Sequence, residues 1–157
     1  LRAENGLAQS VSRLSVEENL SITPIESAQI VNCGGAGSGP DQGRRIRYPV
    51  FAVYCDRVSN LQREKFCRFS GTARLNVEVT VSSERSEGME RLLQTLASAV
   101  TEVLERSWGD WGQGIRYGGG YDIQFGTVKK GGRNYIQTAK LVLEADVTQS
   151  AGQTGRN

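Results

Sequence analysis

The stretch Gly71-Thr72-Ala73-Arg74-Leu75-Asn76-Val77-Glu78-Val79-Thr80-Val81 decides the fold. Apolar Ala73, Leu75, Val77, Val79 and Val81 alternate with polar Thr72, Arg74, Asn76, Glu78 and Thr80, the period of two of a strand with one buried and one wet face. This predicts a long antiparallel strand, extended by residues 66–69. Just downstream, Ser82 and Ser83 are N-cap candidates, and Glu84 and Glu87 supply the negative charge that a helix start favours. Met89, Leu92, Leu93, Leu96, Val100, Val103 and Leu104 then recur at three- and four-residue intervals. The spacing predicts a long amphipathic helix with one face on the sheet, ending near residues 107–109.

Outward from this pair the pattern continues in both directions. Residues 48–58 read as a strand of β-branched and aromatic side chains, followed by a polar connector. Leu7, Val11, Leu14 and Val16 have the spacing of a short helix, Thr23-Pro24 breaks it, and residues 27–32 read as a short strand. Tyr121, Ile123, Phe125 and Thr127, and then Ala139, Leu141, Leu143, Ala145 and Val147, alternate as two strands joined by a hairpin. The predicted fold class is therefore α+β: a mainly antiparallel sheet with a long amphipathic helix and a short N-terminal helix packed on one face. A chain of 157 residues accommodates one such domain, over residues 1–149, with a Gly-rich loop at 33–43 and a polar C-terminal tail at 150–157. The chain begins at Leu1 and holds one methionine, Met89, so the encoded start is expected to lie upstream.

Composition narrows the chemistry. There is no histidine, which removes Ser-His-Asp and Cys-His nucleophile arrangements and imidazole metal sites. Cys33, Cys55 and Cys67 are widely spaced without a CxxC pair, and read as reduced thiols in a cytosolic setting; Cys55 is expected to be buried in its apolar run, with a Cys55–Cys67 bridge as the alternative. The Gly-rich loop lacks the GxxxxGK pattern of a phosphate cradle and leads into basic residues and a strand. Glu78, Glu144 and Asp146 sit on wet strand faces, where cross-strand pairing with Arg74 or Lys140 is the simplest role. Asp56, Asp110 and Asp122 lack the spacing of a calcium loop. No catalytic, cofactor-binding or metal-binding residue is assigned, and no apolar run is long enough for a membrane span.

What remains points to contacts with other macromolecules. The net charge is only +2, but residues 41–74 carry eight basic side chains, including Arg44, Arg45, Arg47 and Arg74, against three acids. The turn Lys129-Lys130-Gly131-Gly132-Arg133 is a second basic feature, read as a solvated turn or a charged contact with a neighbouring protein. No aromatic residues alternate with these charges as stacking platforms for bases. Trp108 and Trp111 follow the long helix, where they cap the core or anchor an interface. A basic 44–74 segment facing the acidic helix that begins at Glu84 and Glu87 forms a complementary pair of patches, as a closed ring requires.

Across residues 48–147, the strand 50–58, the phrase Phe69-Ser70-Gly71-Thr72-Ala73-Arg74-Leu75-Asn76-Val77-Glu78-Val79-Thr80-Val81, the acidic helix start at 84–90 and the closing strand 139–147 resemble the tail terminator, or tail completion, proteins of long-tailed bacteriophages. The Gly-rich insertion and polar tail depart from that pattern. The resemblance implies a small, non-enzymatic α+β subunit of the virion, assembled in the host cytoplasm. It implies a homohexameric ring at the head-proximal end of the tail, which ends tail-tube polymerisation and joins the tail to the head connector or neck. The implied partners are the tail tube protein and the connector or neck protein, with room for a passing contact with phage DNA in the lumen, no membrane and no cofactor. Two other readings compete: a binding module whose basic hairpin contacts nucleic acid or an acidic protein, and, last, an enzyme using the aromatic and glycine cluster at 108–121.

Overall fold

The computed structural model describes residues 6–33, 47–60 and 67–150. The Gly-rich loop beyond Cys33, Arg44, Arg45, the connector at 61–66 and residues 151–157 of the tail lie outside the described residues. Along the chain come α1 (Leu7–Glu17), a 3-10 turn (Ser27–Gln29), β1 (Ile30–Asn32), β2 (Val50–Asn60), β3 (Cys67–Ser83), α2 (Met89–Arg106), β4 (Gly109–Gly112), β5 (Ile115–Phe125), β6 (Lys129–Gly131) and β7 (Asn134–Ser150). The strands form one sheet in the order β1-β2-β3-β7-β5-β4, with β6 also paired to β7. Only β1 and β2 run parallel; every other pairing is antiparallel. The described residues are thus α+β and mostly strand, with two helices and a mixed sheet curled into a half-barrel.

The alternation that announced β3 sets the register of the whole sheet. Leu75, Val77 and Val79 stand opposite Leu143, Leu141 and Ala139 on β7, and opposite Cys55, Val53 and Phe51 on β2. One face therefore collects the branched side chains, and Phe51, Val79, Ala139 and Leu141 are fully shielded there. α2 lies against β3 and β7. Its buried residues, Met89, Leu93, Leu96, Val100, Val103 and Leu104 among them, complete the core. α1 packs chiefly on α2: Leu7 and Val11 are buried, and Arg13 pairs with Glu102. Glu102 also pairs with Arg106. Burial pushes the Glu102 carboxyl up, but the neighbouring Ser10 hydroxyl and the two guanidinium groups outweigh it and leave the group below its usual range.

Several local expectations are corrected. Ser82 and Ser83 are not caps: they continue β3, facing Ile136 and Tyr135 on β7, because the ladder captures their backbone groups first. α2 instead starts after Gly88, whose φ of +76° places it in the left-handed region, and Glu90 is the acidic residue of its first turn. Glu84 and Glu87 sit in the exposed connector before it. In α1, Val16 faces solvent, 80% exposed. Residues 27–29 form a 3-10 turn, which shortens the first strand to three residues. Cys55 is exposed rather than buried, and free, as is Cys33. It stands where a bulge interrupts the pairing of β2 with β3 and where β1 no longer flanks β2. The face of β3 expected to be wet is half-buried, and Asn76 on it is completely buried, because side chains from β2 and β7 pair across it.

Candidate functional site

On that helix-free face the charges are largely engaged with one another. Arg74 donates from Nε and Nη2 to the two carboxylate oxygens of Asp56, each at 2.8 Å, and stands opposite Glu144 in register. These hydrogen bonds from Arg74 hold the Asp56 carboxyl down to about 2, against an opposing effect of burial and with help from Asn76. The Tyr54 hydroxyl donates to Glu78 at 2.5 Å, while the Lys140 ammonium lies 4.0 Å from the same carboxylate and 5.7 Å from the Tyr54 ring. The bond to Glu78, then burial, pushes the Tyr54 phenol up to about 12. Thr80 and Thr138 share a hydrogen bond at 3.1 Å. This face is a set of cross-strand pairs, and Arg74 is one of its members.

The other residues singled out from sequence fall in three places. Arg47 pairs with Glu26 at 2.7 Å beside the start of β2. Lys129, Lys130 and Arg133 occupy an exposed β6–β7 hairpin, closed by Gly132 at φ +69°, and make no ion pair among the described residues. Exposed Glu84 and Glu87 emerge at the same end of the sheet, because Ser83 faces Tyr135, which in turn faces Lys130. Trp108 and Trp111 lie at the opposite end, where α2 finishes and β4 begins. Trp108 is 69% exposed and does not cap the core, whereas Trp111 lies at its margin, against buried Tyr117 and an apolar cavity. The Trp111 indole N–H donates to the carbonyl of Ser107 at 2.5 Å, and its ring sits 5.2 Å from that of Tyr117.

Sequence reasoning missed a cavity of about 680 Å³ on the helix side of the sheet. Its walls include Ile30 and Val31 of β1, Val53 of β2, Leu75 of β3, Val103 and Leu104 of α2, and Trp111. These residues come from five separated parts of the chain, so no local motif marks them. Asp56 and Tyr54 were likewise illegible as paired groups until the β2–β3 register brought Arg74 and Glu78 alongside. Among the described residues no cluster of cysteine and carboxylate side chains is placed to hold a metal ion, and no helix is long and apolar enough to cross a membrane.

No family model and no curated protein matches the chain. Among the solved structures that match, one does so over 90% of this chain and 96% of its own length, at 16% identity and a TM-score of 0.37, a likeness too slight to bear on fold or function.

Proposed function

We propose that the chain is a structural subunit of a long-tailed phage virion: a tail terminator that forms a hexameric ring at the head-proximal end of the tail, stops tube polymerisation and presents a surface to the head connector or neck. In this reading α2 is the long amphipathic helix of the fold, and with α1 it covers one face of a mainly antiparallel sheet. The observation that supports it is the polarity of the molecule along its strands. β3 and β7 pair in register from one end of the sheet to the other. The basic turn at 129–133 marks one end, and exposed Trp108 marks the other. A subunit held between two unlike neighbours, a tube below and a connector above, needs two chemically unlike ends. The protein works without chemistry of its own, and the DNA passing through the ring is a transient contact.

The test is the solution mass of the purified protein by light scattering across a concentration and salt series, with negative-stain images and a co-sedimentation assay on isolated tail tubes. Six-subunit rings that sediment with tubes are the expected result. A monomer that fails to bind tubes would sink the proposal. Lys129, Lys130 and Arg133, which have no ion pair among the described residues, favour one other reading, a binding module for nucleic acid or an acidic protein. It would show itself as salt-sensitive DNA binding without ring formation.

A further inference from the structure

The two borders of the sheet are open in a complementary way. At one border β1 flanks β2 only at residues 51–53, which leaves residues 54–59 without a strand neighbour among the described residues. At the other, β4 flanks β5 only at residues 115–117 and leaves residues 118–125 open. Backbone of this length that is unpaired among the described residues is a template for a further strand. The side chains are also unlike in the right sense. The β4–β5 border carries exposed Trp108, Phe125 and Asp122, and Asp122 has no ion-pair partner among the described residues. The β1–β2 border carries exposed Val58 and Arg57, whose Nε–H donates to Ser59 Oγ at 3.0 Å and which has no ion-pair partner among the described residues, and it adjoins the cavity floored by Val53 and Leu75.

We propose that the β5 border of one copy pairs antiparallel with the β2 border of the next, with Asp122 opposite Arg57, so that a second copy of this chain is the occupant of both open edges. The inference rests on the ring reading and names its lateral interface. The register follows from the faces. Arg57 stands opposite Arg74, and Asp122 opposite Val142, which itself faces Asn76, so both lie on the helix-free face of the sheet. With those two aligned, Val58 meets Tyr121 on the helix side. The bulge between Cys55 and Arg57 then lets Cys55 meet Ile123 on that same side, one step further along. The ladder then ends with Gln124 opposite Tyr54, because β1 already flanks Val53, and exposed Phe125 is left beside the end of β1. The opposite charges steer and orient the encounter, while the apolar pairs and the strand ladder hold it. Because the two borders differ, the contact is heterologous, the kind that closes into a ring.

The experiment is a charge swap on the full chain: Arg57→Asp, Asp122→Arg and the double variant, with association constants from light scattering, folding checked by circular dichroism, and tube co-sedimentation run in parallel. Each single variant should stay folded and associate at least about tenfold more weakly than the wild type, and the double variant should recover most of that loss. A wild type that stays monomeric at every concentration would overturn the interface, as would single variants that associate normally or a double variant that fails to recover. Tube binding reports separately on the function. Assembly that obeys the charge swap without tube binding keeps the interface and discards the terminator reading; tube binding by a protein indifferent to the swap does the reverse.

Discussion

Asp56 and Arg74 show how far a single pair can tie two strands. The carboxylate accepts two hydrogen bonds from one guanidinium across the β2–β3 ladder, and its folded-state pKa of about 2 lies below the ordinary aspartate value. A group depressed on folding stabilises the native state above its unfolded pKa and loses that contribution as pH falls through the folded one. The window therefore runs from about pH 4 down to about pH 2. Thermal melts across that window should show a steeper loss for the wild type than for Asp56→Asn, which has no such proton to take up. Parallel curves would mean that the pair contributes nothing to the acid limb. The side chains of both residues are partly exposed, so the effect is also expected to shrink in high salt.

Among the elements, the hairpins depend on positions where backbone approaches backbone. Gly114 sits between β4 and β5 at φ +77°, and a Cβ there would stand 1.9 Å from the carbonyl oxygen of Thr148. That contact is fixed by the Thr148 N–H, which donates back to the Gly114 carbonyl at 2.8 Å. Gly114→Ala should therefore cost more than about 1 kcal/mol, whereas Gly118→Ala, which opens onto space, should stay within about 0.5 kcal/mol; urea midpoints measure both. This also explains what the sequence could reveal. β3 and β7 were legible because each turns its apolar side chains to one face, so hydrophobicity recurs at every second residue even though the polar face is partly covered too. β4 and the start of β5 were not, since Gly109, Gly112, Gly114 and Gly118 to Gly120 leave no alternation to read and the strand state is imposed by pairing of β4 to β5 and of β5 to β7. The basic turn was legible as an exposed feature, because five consecutive residues without a large apolar side chain have nothing to bury. The tryptophans were ambiguous for the opposite reason: a large apolar ring belongs equally well in a core or on a surface, and only the position of the α2 end decides.

For the whole molecule, the sheet order matters more than any one contact. β7 is the strand between β3 and β5, and its residues follow every other element described. A chain cut after Gly126 would keep both helices and five strands yet lose the centre of the sheet, and soluble expression should fall sharply relative to the intact chain; a soluble, folded fragment would contradict that dependence. The same arrangement has a meaning in time. During synthesis β2, β3 and α2 leave the ribosome before β7, and the long edge of β3 waits bare until its partner is made. The two borders proposed to join neighbouring copies belong to one sheet only through β7, which links β3 to β5. If copies join through those borders as proposed, a nascent subunit that still lacks β7 is expected to be unable to pair with its neighbours, so that synthesis of this strand times assembly.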